Sequence, residues 1–430
     1  MSLEIIAILL FCAIFLVLMT GYPVAFVLGG LSVIVGMIYV PDFLDFLPLR
    51  IMGTIQNYVL MAVPLFVFMG LTLEKSGIAE ELLQSMGVMF GKIKGGLALS
   101  VIVVGTLLAA STGIVGATVI SMGLISLPIM LKKNYSIPLA TGIIASSGTL
   151  GQIIPPSVVL VLLGSVLNVP VGDLFRAAII PGLILVVAYI MYVLVFAYLY
   201  PEKAPALPAE EVRLFRAENY ISKILKSFLH PMLLILAVLG VIFSGIASPT
   251  EAAAVGALGA ILLTLLQGKL SWTLLSSVSK ETTHLTSMVF MILLGATTFS
   301  LVFRGLGGDK MLINLIESGN LTANQFLLLV MVVVFIAGFF IDFIEIIFII
   351  VPIVAPIFVK FQMDPLWIGI LLALNLQTSF LTPPFGFALF YLKGVAPPEV
   401  KTIDIYKGVL PFILIQLLVL LLFIFFPQLL

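Results

Sequence analysis

Gly148-Thr149-Leu150-Gly151-Gln152-Ile153-Ile154-Pro155-Pro156-Ser157 decides the reading of this chain, because the chain states it twice. The second statement is Gln377-Thr378-Ser379-Phe380-Leu381-Thr382-Pro383-Pro384-Phe385-Gly386. Each places a Pro-Pro pair in the middle of a long apolar segment. Proline removes a backbone donor and breaks a helix, and unpaired backbone in lipid costs several kcal/mol. Two breaks at matching places point to a polar site built at mid-membrane.

Other anchors extend the repeat outward from this stretch. Pro23 matches Pro249, Pro128 matches Pro352, Pro138 matches Pro365, and Gly142 matches Gly369. Asp173-Leu174-Phe175-Arg176 leads to Pro181 as Asp404-Ile405-Tyr406-Lys407 leads to Pro411. The offsets stay between about 224 and 231. Ordered matches along both halves are hard to obtain by chance from 24 prolines.

The apolar fraction is 62% and the charged fraction 9%, against about 45–50% and 25% in soluble domains. This is the composition of a polytopic membrane protein. Zero net charge gives no sign of a nucleic-acid partner. Cys12 is the single cysteine, which excludes an internal disulfide and a cysteine-based metal cluster. His230 and His284 share no ligand spacing, so no transition-metal site is expected. No Ser-His-Asp or Cys-His set stands out, so no enzyme is expected. The first apolar segment lacks a basic start and a small-residue cleavage pattern, and reads as a retained span.

A spanning helix needs about 20 apolar residues. Spans are expected at about 3–20, 22–40, 54–74 and 173–200 in a first repeat, residues 1–200. A second repeat, residues 228–430, gives spans at about 228–244, 249–267, 283–304 and 405–427. Broken segments fall at about 137–167 and 365–393. Apolar stretches at 95–131 and 324–360 run for about 37 residues each and are interrupted by small or polar residues. That is too long for one span, so each reads as a re-entrant hairpin whose tip is buried in protein or faces a cavity. The predicted fold is therefore all-α, with an inverted-topology repeat, two re-entrant hairpins and two broken helices. Five crossings per copy invert the second copy relative to the first and put both termini on one side.

Charge orients this arrangement. One set of loops, including the linker at 201–227, holds fifteen of the twenty basic residues; the other holds Arg50, Arg176, Arg304, Lys310 and Lys360. The positive-inside rule makes the rich set cytoplasmic and both termini external. No Walker sequence appears, so uphill movement of a solute would need an ion gradient.

Candidate site residues lie at the tips and breaks. The tips are Ala110 to Gly116 and Gly338 to Glu345; the breaks are Ser146 to Thr149 and Asn375 to Ser379. Helix ends expose free carbonyls, which with hydroxyls suit a hard cation such as sodium, while helix N-termini suit a carboxylate. The same Ser, Thr and Gly residues would also permit close helix packing. Asp342 is an acid inside an apolar run, which is costly and commonly functional; it could instead reach water from the outer side. Glu251 follows Pro249 in a first turn, where an acid favours the helix dipole. Arg304 ends a span on the same outer side. The two could pair, or Arg304 could meet an anionic solute.

These residues resemble a known family. The run Gly148 to Ser157, Thr382-Pro383-Pro384-Phe385-Gly386 and Ser248-Pro249-Thr250-Glu251-Ala252-Ala253 look like the large membrane subunit of tripartite ATP-independent periplasmic (TRAP) transporters. The resemblance covers essentially the whole chain. It implies sodium-coupled uptake of an organic acid across a bacterial inner membrane by an elevator movement. It also implies a small four-helix membrane subunit and a periplasmic substrate-binding protein as partners. Carried over by position, one sodium site falls on Ser111, Thr112 and Gly113 with Ser147 and Gly148. The other falls on Gly338 and Asp342 with Gln377, Thr378 and Ser379. Arg304, Glu251 and Asp342 fall at positions tied to substrate or gating. The competing readings are a stand-alone sodium/carboxylate transporter of the same plan, and an intramembrane enzyme or scaffold.

Overall fold

The computed structural model describes residues 2–208, 210 and 228–430. The expected linker at 201–227 therefore lies largely outside the described residues, with Arg213, Arg216, Lys223 and Lys226 of the cytoplasmic set. Every regular element among the described residues is helical.

The first repeat opens with α1 (Leu3–Leu18), α2 (Val24–Tyr39), α3 (Pro41–Leu44), α4 (Leu47–Ile55) and α5 (Ala62–Lys75). A 3-10 turn at Tyr58–Met61 leads into α5. It is capped by Asn57, whose Oδ1 accepts from Val59 N at 3.1 Å. Next come α6 (Ile78–Met89), the pair α7 (Gly96–Thr112) and α8 (Val115–Lys132), and the pair α9 (Ile137–Thr149) and α10 (Val158–Leu167). The repeat closes with α11 (Val171–Leu199). The second repeat follows the same order. It has α12 (His230–Phe243), α13 (Pro249–Leu266), α14 (Trp272–Gly305) and α15 (Gly308–Ser318). Then come α16 (Ala323–Ala337), α17 (Phe343–Ile349), α18 (Val351–Lys360), α19 (Pro365–Leu381), α20 (Phe387–Val395) and α21 (Thr402–Phe425).

Among the described residues, six helices, counting the turn before α5 with it, are long and apolar enough to cross a membrane, or seven if the bent pair α17 and α18 makes one span. The six are Tyr58–Lys75, α8, α11, α13, α14 and α21. Helices α1, α2 and α12 are apolar but have 16, 16 and 14 residues. At 1.5 Å per residue they fall short of a hydrocarbon core of about 30 Å. The span expected at 283–304 begins earlier, at Trp272, because Ser271 caps it there and accepts from Leu274 N at 3.1 Å. The helix therefore continues past the apolar window into polar turns.

Helix interruptions lie near the expected hairpins and breaks, with one correction. Ser146 to Thr149 and Asn375 to Ser379 do not themselves break the chain. They form the final turns of α9 and α19, and the interruptions follow at 150–157 and 382–386. The prolines stop the helix, and the carbonyls of the preceding turn lose their partners. The matched prolines Pro128 and Pro352 sit differently in the two hairpins. Pro128 sits inside an unbroken α8. Pro352 opens α18, which is bent from α17 by 51°. A second proline four residues on, Pro356, removes another donor from that arm.

The helices sort into two groups. The first three spans of each repeat pack together, with α2 on α14 and α5 on α13 and α14. The hairpins, broken helices and last spans form the second group. Within it the repeats interlock. A Cβ on Gly142 of α9 would meet Gly408 O of α21 at 2.1 Å, so backbone lies on backbone there. The second half of each broken helix packs on the hairpin of the other repeat, α10 on α17 and α18, and α20 on α8. The groups meet where α5 lies on α7 and α14 on α17. The first residues after α11 cross the base of the first hairpin. Gly95 N donates to Ala204 O at 2.8 Å, Ser136 N to Lys203 O at 2.9 Å, and Tyr135 Oη to Pro205 O at 3.0 Å.

Candidate transport site

Helix ends bring hydroxyls and carbonyls together in each repeat. In the first, α7 ends at Thr112 and reverses through Gly113, whose φ of +62° is left-handed. Glycine takes that conformation without steric cost. Thr112 Oγ1 and Thr118 Oγ1 share a hydrogen bond at 2.8 Å across the reversal. The tip seats on the start of α10, since a Cβ on Gly113 would meet Val158 N at 2.9 Å. The arm behind it lies on α9, where a Cβ on Gly105 would meet Ser147 Oγ at 2.5 Å. Gly148 faces Val119 of the second arm. The structure thus brings the first tip and the first break into one buried assembly, with Ser111, Thr112 and Ser147 all 2% exposed or less.

The second repeat repeats the seating. A Cβ on Gly338 would meet Ser379 Oγ at 2.1 Å, so the second tip lies directly on the second break. Gln377, Thr378 and Ser379 are fully buried. Ser111, Ser147 and Ser379 each donate to the carbonyl three residues back, at 2.8, 3.2 and 2.9 Å, and Thr378 to Leu374 O at 2.8 Å. A hydroxyl whose proton is held this way presents only lone pairs outward. That arrangement suits a hard cation better than an anion.

Asp342 has a job on its own backbone. It caps α17, with Oδ1 accepting from Phe343 N at 2.5 Å, while Glu345 accepts from Asp342 N at 3.1 Å. This reciprocal capping box, which the sequence reading did not identify, satisfies two end donors of the helix. Both acids are half-buried. Glu251 is likewise a cap, accepting from Ser248 N and Oγ at 2.8 Å each. Of the alternatives the sequence left open, its pairing with Arg304 does not form. Arg304 pairs instead with Asp309 at 3.3 Å. Burial pushes the Asp309 carboxyl up and Arg304 pulls it down, the first effect being the larger.

Arg304 lines a cavity of about 940 Å³ between the two groups of helices. Arg50, Asn57, Ser165, Asn168 and Ser300 contribute polar groups, and Phe348 and Pro352 of the second hairpin close one wall. Asn57 Nδ2 donates to Ser165 Oγ at 2.9 Å across the group boundary. The volume lies within the range of about 300–1,000 Å³ that suits small organic ligands. Sequence reasoning singled out Arg304 at the outer end of its span and did not single out Arg50, Asn57 or Asn168 as site residues. Arg50 lies on the amphipathic α4, which the span count passed over.

The pattern of the family described as "Tripartite ATP-independent periplasmic transporter, DctM component" matches residues 11–429. The chain belongs to this family. The C4-dicarboxylate TRAP transporter large permease protein DctM of Pseudomonas aeruginosa is 31% identical over 401 residues, covering 93% of this chain and 91% of that one. The sialic acid TRAP transporter large permease protein SiaM of Vibrio cholerae is 30% identical over 412 residues, covering 96% and 94%. Among solved structures, the Alcanivorax borkumensis YdaH transporter superposes with a TM-score of 0.64 at 13% identity, covering 96% of this chain and 98% of that one. That likeness shows a shared fold. As a TRAP large permease the chain is a multi-pass membrane transport protein.

Proposed function

We propose that this TRAP large permease carries out sodium-coupled uptake of an organic acid across a bacterial inner membrane. The observation that carries this reading is the matched seating of a hairpin tip on a helix break in each repeat, with buried hydroxyls turned to present lone pairs. One sodium site comprises Ser111, Thr112, Gly113, Ser147 and Gly148. The other comprises Gly338, Asp342, Gln377, Thr378 and Ser379. No organic cofactor has a role. The relatives are named for C4-dicarboxylates and sialic acid, both carboxylates, and the cavity at Arg304 and Arg50 offers guanidinium groups to such an anion on its way to the tips. The hairpins, broken helices and last spans move as one block against the first three spans of each repeat. The interlocked packing within the block, and its thinner contact with the remaining helices, supports that division. A small four-helix membrane subunit completes the membrane unit, and a periplasmic binding protein delivers the solute. Both termini face the periplasm.

Proteoliposomes holding the chain with its small subunit test this. Uptake of a carboxylate bound by the cognate binding protein should require both an inward sodium gradient and that protein. Full uptake on a proton gradient alone would reject sodium coupling, and equal uptake without the binding protein would favour a stand-alone transporter.

A further inference from the structure

The last spans of the two repeats, α11 and α21, cross inside the block, and each brings a polar side chain to the crossing. Tyr189 on α11 is 0% exposed and Gln416 on α21 is 1% exposed. Gln416 Nε2 donates to Tyr189 Oη at 2.7 Å and to Thr149 Oγ1 at 3.4 Å. The Tyr189 hydroxyl also lies close to the Gln377 side chain, with no direct hydrogen bond between them. Thr149 follows Ser147 and Gly148 directly on α9, and Gln377 precedes Thr378 and Ser379 on α19. One relay of side chains therefore runs from the first tip–break assembly to the second.

Several amide atoms on these elements and on the neighbouring 3-10 turn have no partner. Both amide atoms of Gln152, both of Gln377, and Oε1 of Gln416 are buried and meet no hydrogen-bond partner among the described residues. Gln152 belongs to the 3-10 turn Leu150–Gln152, which packs on α19. Apolar side chains at these positions would avoid the penalty that a buried, unpaired amide carries. A cation would satisfy the three amide oxygens and leave the amide protons facing it. Water accepts from the NH₂ groups and donates to the oxygens, so it suits a mixed set of neutral donors and acceptors.

We propose that Tyr189 and Gln416 are positioning residues of a buried, hydrated bridge between the two candidate cation sites, through which filling one site raises the affinity of the other. The proposal rests on the sodium reading given above. An ion at the first site draws on the free carbonyls at the end of α9 and shifts Thr149. The long Thr149–Gln416 hydrogen bond has room to tighten, and Tyr189 passes the change to Gln377 beside the second site. Such coupling is reciprocal, whichever site fills first.

Equilibrium binding of radioactive sodium to the purified full-length chain with its small subunit tests the bridge. The wild type should bind sigmoidally. Tyr189→Phe keeps the ring's edge-on contact with Phe412, at 5.0 Å between centroids, and removes only the hydroxyl. It should bind hyperbolically, with half-saturation at roughly tenfold more sodium, within the range of typical coupling energies. Gln416→Leu should do the same, and if it does not fold, Tyr189→Phe decides alone. A sigmoidal wild type with an equally sigmoidal Tyr189→Phe would overturn the bridge and leave sodium binding standing. A hyperbolic wild type would overturn the bridge alone. A wild type that binds no sodium would overturn both.

Discussion

Asp342 holds its place by two means, as an acid in an apolar run and as the cap of α17. Asparagine caps a helix about as well as aspartate, so Asp342→Asn separates the charge from the cap. The variant should fold and reach the membrane, yet transport at least tenfold more slowly. Loss of about 1.4 kcal/mol of favourable interaction already produces that factor. Uptake close to wild type would reduce Asp342 to its capping role. Thr378 offers a cleaner test of the cation site, because Thr378→Val keeps the shape and removes the oxygen. Its hydroxyl proton is committed to Leu374 O, so the change removes lone pairs from the site and little else. The sodium dependence of uptake should weaken. An unchanged sodium response would remove Thr378 from the site.

Among elements, the hairpins and breaks were legible from the sequence because each carries a mark that lipid makes costly. Proline, glycine and clustered hydroxyls inside apolar runs announced both tips and both interruptions to within a few residues. The interruptions fell just beyond the Ser and Thr clusters, because proline disturbs the turn before it as well as its own position. Helices α6 and α15 were not legible in this way. They are amphipathic and shorter than a span, and the apolar windows that revealed the other elements passed over them. The relay of Tyr189, Gln416 and Gln152 was also hidden, since each residue sits singly in its segment and the cluster exists only after the repeats interlock. A direct test of an element-level contact is Gly338→Ala. The added Cβ would meet Ser379 Oγ at 2.1 Å, so the second tip must lift from its break. Transport should fall at least tenfold while the chain still assembles with its small subunit. Transport at the wild-type level would show that the tip does not need this seat.

At the scale of the whole molecule, the repeat and the charge asymmetry together predict an inverted architecture. Cysteine labelling checks it. Cys12 is exposed on α1, so a Cys12→Ser background is needed first. Glu210→Cys should then react from the cytoplasmic side and Ser318→Cys from the periplasmic side. Labelling of both from one side would overturn the inversion. The three short apolar helices are the part that composition could not settle, because hydropathy reports a segment's greasiness and not the depth at which neighbouring helices hold it.

The two hairpins share a plan but differ in stiffness. The first has a straight second arm through Pro128, and the chain leaving α11 straps its base by three hydrogen bonds. The second has a 51° joint at Pro352 in its corresponding arm. A door hung on a jointed frame can swing by itself, whereas a braced door moves only with its wall. Under the proposed movement, access from the two faces of the membrane would be mechanically unequal: one face would open by flexing a single hairpin, and the other only by displacing the entire assembly in which its hairpin is fixed.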